Sequence, residues 1–131
     1  MLIESVAYTA QSNLRDIAGD HVFRFCEFED ASLEEFAVVN IEGVFLACKF
    51  TNVEMYWTLL NCAVFIDCTF VGCTFRGVSF ASCRVVECIF TNCAFVEDNL
   101  GGACSFEKTV WYGSTQNGCT GLSEALVQLG V

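Results

Sequence analysis

Ten cysteines and one histidine, His21, are the side chains of this 131-residue sequence with the chemistry to hold a metal, close disulfides or act as a nucleophile. Metal sites pair their ligands at short intervals such as Cys-x-x-Cys. Here neighbouring cysteines are never closer than Cys68 and Cys73, so neither a metal site nor a cofactor is expected. Catalysis has little to work with. The lone His21 precedes Phe23 in what reads as a packed or capping position, the glycines form no phosphate-binding loop, and no carboxylate pair is marked as a general acid and base. The reading is that the protein is not an enzyme.

The cysteines instead share a rhythm. From residue 45 onward a large residue stands at every fifth position: Phe45, Phe50, Met55, Leu60, Phe65, Phe70, Phe75, Phe80, Val85, Phe90, Phe95 and Leu100. Two residues before each stands a small one, except for Asp98 before Leu100. A helix wants steps of three and four, and a flat strand wants alternation. One large and one small inward residue in every five are buried together by a chain that turns a corner each unit and stacks its turns, which is a solenoid. Eight cysteines occupy the small position: Cys26, Cys48, Cys68, Cys73, Cys83, Cys88, Cys93 and Cys104. Cys62 and Cys119 do not. Cys48, Cys68 and Cys88 should stack at separations a disulfide could span, but side chains running in parallel into a core favour free thiols acting as small hydrophobes.

In "CTFVG", "CTFRG" and "CIFTN" the sequence resembles the pentapeptide-repeat family, whose pattern is a small residue, any residue, Leu or Phe, then two polar residues. The resemblance runs from about Cys26 to Trp111 and implies an all-β fold, a right-handed quadrilateral β-helix with twenty residues per coil. On that spacing Phe50, Phe70 and Phe90 form one ladder, Met55, Phe75 and Phe95 a second, and Leu60, Phe80 and Leu100 a third. Two extra residues between Val38 and Phe45, and one between Leu100 and Phe106 near Gly101 and Gly102, mark irregular corners.

Open solenoid ends need covers. Residues 1–22 are expected to cap one end, residues 23–111 to form the β-helix, and residues 112–131 to form a loop, "STQNGCTG", and a short C-terminal helix from Ser123 to Gly130. Leu126, Val127 and Leu129 make that helix apolar on most sides, so it either plugs the last coil or meets its copy in a homodimer.

No run of about 18 uninterrupted apolar residues is present, and Glu4 stands where a signal peptide carries basic residues. A cytoplasmic protein is expected. Sixteen acids against six bases give a net charge of −10, which repels nucleic acid and anionic membrane and attracts a basic partner. Glu27, Glu29, Asp30, Glu34, Glu35, Glu42 and Glu54 face Lys49 alone in their stretch, and Asp67, Glu87 and Glu107 are twenty apart. Solubility accounts for such charge, but so does imitation of duplex DNA. About 24 Å of rod, five coils at sheet spacing, corresponds to about 14 DNA charges at one per 1.7 Å. Several pentapeptide-repeat proteins are similar to DNA in shape and charge and bind DNA gyrase. The resemblance therefore implies an acidic DNA mimic that inhibits a DNA-binding complex: a phage-type anti-CRISPR inhibitor of a surveillance complex as the first reading, a gyrase-binding protein as the alternative, and an inert interaction scaffold as a third.

Overall fold

The structure, a computed structural model, describes residues 1–9, 21–32, 43–56, 58–60 and 62–121. Its fifteen short strands run parallel to their neighbours and stack on the faces of a four-sided solenoid. The first face carries β1 (Leu2–Glu4), β3 (Val22–Arg24), β5 (Val44–Leu46), β8 (Val64–Ile66), β11 (Arg84–Val86) and β14 (Val110–Tyr112). The second carries β2 (Ala7–Tyr8), β4 (Glu27–Glu29), β6 (Lys49–Thr51), β9 (Thr69–Val71), β12 (Ile89–Thr91) and β15 (Thr115–Asn117). The third carries β7 (Glu54–Tyr56), β10 (Thr74–Arg76) and β13 (Ala94–Val96). Single bridges, Leu59 to Ser79 to Ser105, make the fourth.

The period of five is physical. In each three-residue strand the middle side chain points inward, and the chain turns two residues later. At that turn the backbone takes a positive φ, as at Ala47, Asn52, Asp67 and Glu87, with φ of 51 to 55°. A residue with a Cβ loses about 1–2 kcal/mol there. The loss recurs at every filled corner and is outweighed by the core. Tyr8, Phe28, Phe50, Phe70 and Phe90 stack with centroids 4.8, 4.6, 4.6 and 4.6 Å apart, and Phe23, Phe45 and Phe65 stack 4.8 Å apart at each step. Rings at this distance combine burial with offset stacking.

The expected ladders through Phe90 and Phe95 are present, as is a two-residue excess in the coil between Val22 and Val44. The third ladder is corrected. Leu100 is 81% exposed, and Phe106 stacks on Phe80 in its place. The slip is six residues rather than one, because Arg84 pairs with Val110 and Ile89 with Thr115, each twenty-six on. Residues 97–102 leave the stack as a loop in which Oδ1 of Asp98 accepts the backbone N–H groups of Leu100 and Gly102, each at 2.8 Å. Tyr56 donates its hydroxyl proton to the Asn99 side chain, and Arg76 donates to the Glu97 carbonyl, holding the loop against the third face.

Both ends also differ from expectation. β1 and β2 already lie in the stack, paired with β3 and β4, so the coil begins before Phe23. Beyond Trp111, "STQNGCTG" is coil and not loop: β15 pairs with β12, Thr120 bridges Ala94, and Ser114 is buried. The expected capping helix, with Leu126, Val127 and Leu129 as cap or homodimer contacts, lies outside the described residues.

Candidate functional site

The small inward position has a specific job. Cysteine thiols there donate to the carbonyl of the large residue one coil back, Cys48 to Phe23, Cys68 to Phe45, Cys88 to Phe65 and Cys93 to Phe70, whereas the Thr58 hydroxyl has no partner among the described residues. Ser114 and Thr109 make the same bond with hydroxyls, to Val85 and Phe80. Cys119 joins this set, donating to Phe90 at 3.5 Å, which corrects its placement outside the repeat. The six-residue slip concealed it. All ten cysteines are free thiols and Cys62 alone is exposed. Burial pushes the Cys83 thiol up to about 12 and raises Cys26, Cys104 and Cys119. Cys68, hydrogen-bonded between Cys48 and Cys88, is raised as well. These are poor nucleophiles, since the thiolate is the reactive form. Among the described residues no group of three or more His, Cys, Asp or Glu is placed to hold a metal. The His21 ring meets Phe23 edge-on at 5.9 Å.

The carboxylates lie outside this core. Glu27 and Glu29 are the two outward residues of β4, and Asp30 is the corner that follows, so three acids share one rung. Asn52, one coil on, donates to the Asp30 carboxylate at 3.3 Å. Glu54, the first residue of β7, bridges to Ser32 just past that corner. Glu27 lies in register with Lys49, and a depression of about 120 Å³ between these rungs is lined by Glu27, Phe28, Glu29, Lys49 and Thr51. Asp67 and Glu87 stack at the corner between the first and second faces. Glu107 leaves their column. After the slip it lies over Ala81, with its carbonyl accepting the Ser82 N–H, and Gly113 takes the place above Glu87. Glu34, Glu35 and Glu42 lie outside the described residues. Glu97 and Asp98 add two acids beside the third face that the sequence reading passed over. The "DNLGG" run, an Asx-turn signal, could have located them.

Among the described residues the one ion pair joins Arg24 to Glu4. Glu27, Glu29, Asp30, Asp67 and Glu87 are exposed along the second face and its two corners. A surface of this kind attracts cationic partners and offers fixed hydrogen-bond acceptors.

Residues 58–95 match the model of the pentapeptide repeats, eight copies. No curated protein sequence matches the chain. Among solved structures, the full-length plasmid-mediated fluoroquinolone resistance protein QnrB1 superposes with a TM-score of 0.62 at 16% identity, over 72% of this chain and 46% of its own. The chain thus spans about half the length of that protein. The pentapeptide-repeat protein Rfr23 from the cyanobacterium Cyanothece 51142 superposes with a TM-score of 0.65 at 12% identity, over 90% of this chain and 86% of its own. Residues 58–95 thus carry pentapeptide repeats in sequence, and the described residues share the β-helix fold of solved pentapeptide-repeat proteins.

Proposed function

We propose that this protein is a non-enzymatic acidic rod that occupies the DNA-binding channel of a basic protein in place of duplex DNA, with DNA gyrase as the partner that fits best. The observation that carries the reading is the single rung holding Glu27, Glu29 and Asp30. Three carboxylates within a rise of about 4.8 Å match the line charge of B-DNA, about one per 1.7 Å. Glu54 extends the group around the corner, and Asp67 and Glu87 continue it along the rod. The stacked core keeps this spacing rigid, so binding requires no ordering of the charges. The fold shared with a fluoroquinolone resistance protein supports a topoisomerase such as gyrase as the target.

A CRISPR surveillance complex, which also binds duplex DNA, is the second reading. In either case the protein acts in the cytoplasm, binds no nucleic acid itself and needs no cofactor. The test is competition. Purified gyrase, and separately a surveillance complex, is titrated with the protein against labelled duplex DNA, alongside the variant carrying Glu27→Lys, Glu29→Lys, Asp30→Lys and Glu54→Lys. Displacement of DNA from one target, weakened at least about tenfold in the folded variant, is expected. Equal activity of the two proteins would return the acids to a solubility role.

A further inference from the structure

The first and second faces have the same six-strand architecture but opposite surfaces. On the second face the outward residues are mostly polar, among them Glu29, Thr51, Thr69, Thr91 and Thr115. On the first face the corresponding rows read Val22, Val44, Val64, Arg84 and Arg24, Leu46, Ile66, Val86, six apolar residues in two unbroken runs with one arginine at an end of each. These six apolar side chains are only half-buried. Leu2 and Tyr112 prolong the rows, at 53 and 67% exposure, and Val110 resumes the first row beyond Arg84. A β-helix has no need of this, since its core lies inside and the second face holds its rungs with threonine. A contiguous apolar stripe on a chain of net charge −10 marks an interaction surface.

The stripe's dimensions narrow the occupant. Five steps of about 4.8 Å and a width of three residues give about 24 Å by 10 Å. Two copies packed through it would cover roughly 500 Å², well short of the 1,200–2,000 Å² of a stable dimer. One α-helix fits, since about 16 residues span 24 Å and its 5.4 Å pitch nearly matches the rung spacing. The border narrows it further. Asp67 and Glu87 line the edge beside Leu46, Ile66 and Val86, exposed and without an ion-pair partner among the described residues. At the amino-terminal end the Arg24–Glu4 pair neutralises itself.

We propose that the first face is a docking site for a basic amphipathic α-helix of a partner protein. The helix lies along the rod axis with its apolar stripe on Leu46, Ile66 and Val86 and its cationic flank beside Asp67 and Glu87. This surface is separate from the Glu27 rung and stands or falls independently of DNA mimicry. Its small area suits a weak, exchanging contact.

The probe is an 18-residue helical peptide with leucines at i, i+3, i+4 and i+7 spacing and lysines along one border, compared with the same peptide carrying glutamates there. Binding is followed by fluorescence anisotropy and mapped by amide chemical shifts. The lysine peptide is expected to bind in the micromolar range, to shift the amides of β5, β8 and β11, and to prefer the protein at least about tenfold over its glutamate counterpart. The variant Leu46→Thr, Ile66→Thr, Val86→Thr copies the second face and should weaken binding at least about tenfold, whereas Thr51→Ala with Thr91→Ala on the second face should leave it unchanged. A melting curve near that of the parent confirms that the threonine variant folds. Shifts confined to the Glu27 rung, equal binding by the threonine variant, or no binding would overturn the proposal. So would self-association or adsorption to zwitterionic vesicles that the threonine variant abolishes, since these assign the face to a second copy or a lipid surface.

Discussion

Phe80 stacks on Phe106, twenty-six residues further along the chain, with ring centroids 5.2 Å apart and planes 8° from parallel. Leu100, at the regular twenty-residue spacing, is left 81% exposed. Removing the Phe106 side chain should therefore cost about 2–4 kcal/mol, while Leu100→Ala should stay within about 0.5 kcal/mol. Urea denaturation of the two variants checks the difference, and equal losses would mean that the loop residue shares the core.

Gly121 closes the last described rung. A Cβ there would collide with the Phe95 carbonyl oxygen, and φ is +75°. Gly101, at φ +82°, faces open space. Gly101→Ala should cost about 1–2 kcal/mol from backbone conformation alone. Gly121→Ala should cost more and should free the Phe95 N–H, which donates to the Thr120 carbonyl. Hydrogen exchange at Phe95 reads this directly; unchanged protection would contradict the packing.

Burial holds the Cys83 thiol up to about 12, against an ordinary value of 9.0, and raises Cys26, Cys104 and Cys119. A group that binds its proton more tightly when folded stabilises fully below the unfolded pKa and ceases to do so as pH rises through the folded one. Its contribution to stability is thus flat below pH 9 and falls between 9 and 12. Cys83→Ala should lower stability at neutral pH yet make the alkaline decline shallower. An identical slope in the variant would remove Cys83 from the account.

Thr58 sits at the inward small position, wholly buried, and its hydroxyl has no partner among the described residues. Thr58→Val keeps the shape and removes the unpaired group, which should stabilise the protein by about 1 kcal/mol. A loss of stability on thermal melting would show that the hydroxyl is satisfied after all.

The rhythm of Phe65, Phe70 and Phe75 is legible in sequence because a five-residue turn has one inward centre, and any large apolar residue there declares it. The same rule misreads Leu100, which keeps the spacing and the chemistry of a core residue. What expels it is the local competition of Asp98, whose carboxylate gathers the N–H groups of Leu100 and Gly102 into a turn of their own. Every column beyond that point then moves by six, which is why Cys119 looked misplaced and Glu107 looked aligned. The acids from Glu27 to Asp30 are recognisable as surface because they flank Phe28. The apolar rows of the first face were not, because Val44 and Val64 read equally well as ordinary strand residues until the second face supplies the contrast.

The loop at residues 97–102 adds six residues to the chain and nothing to the height of the rod, since β11 and β14 pair as directly as β8 and β11 do. Along its axis the protein therefore behaves as a ruler graduated by rungs, with marks set by peptide hydrogen bonding whatever is threaded between them. Insertions at a corner can reshape what a partner touches, while the spacing at which Asp67 and Glu87 present their charges stays constant.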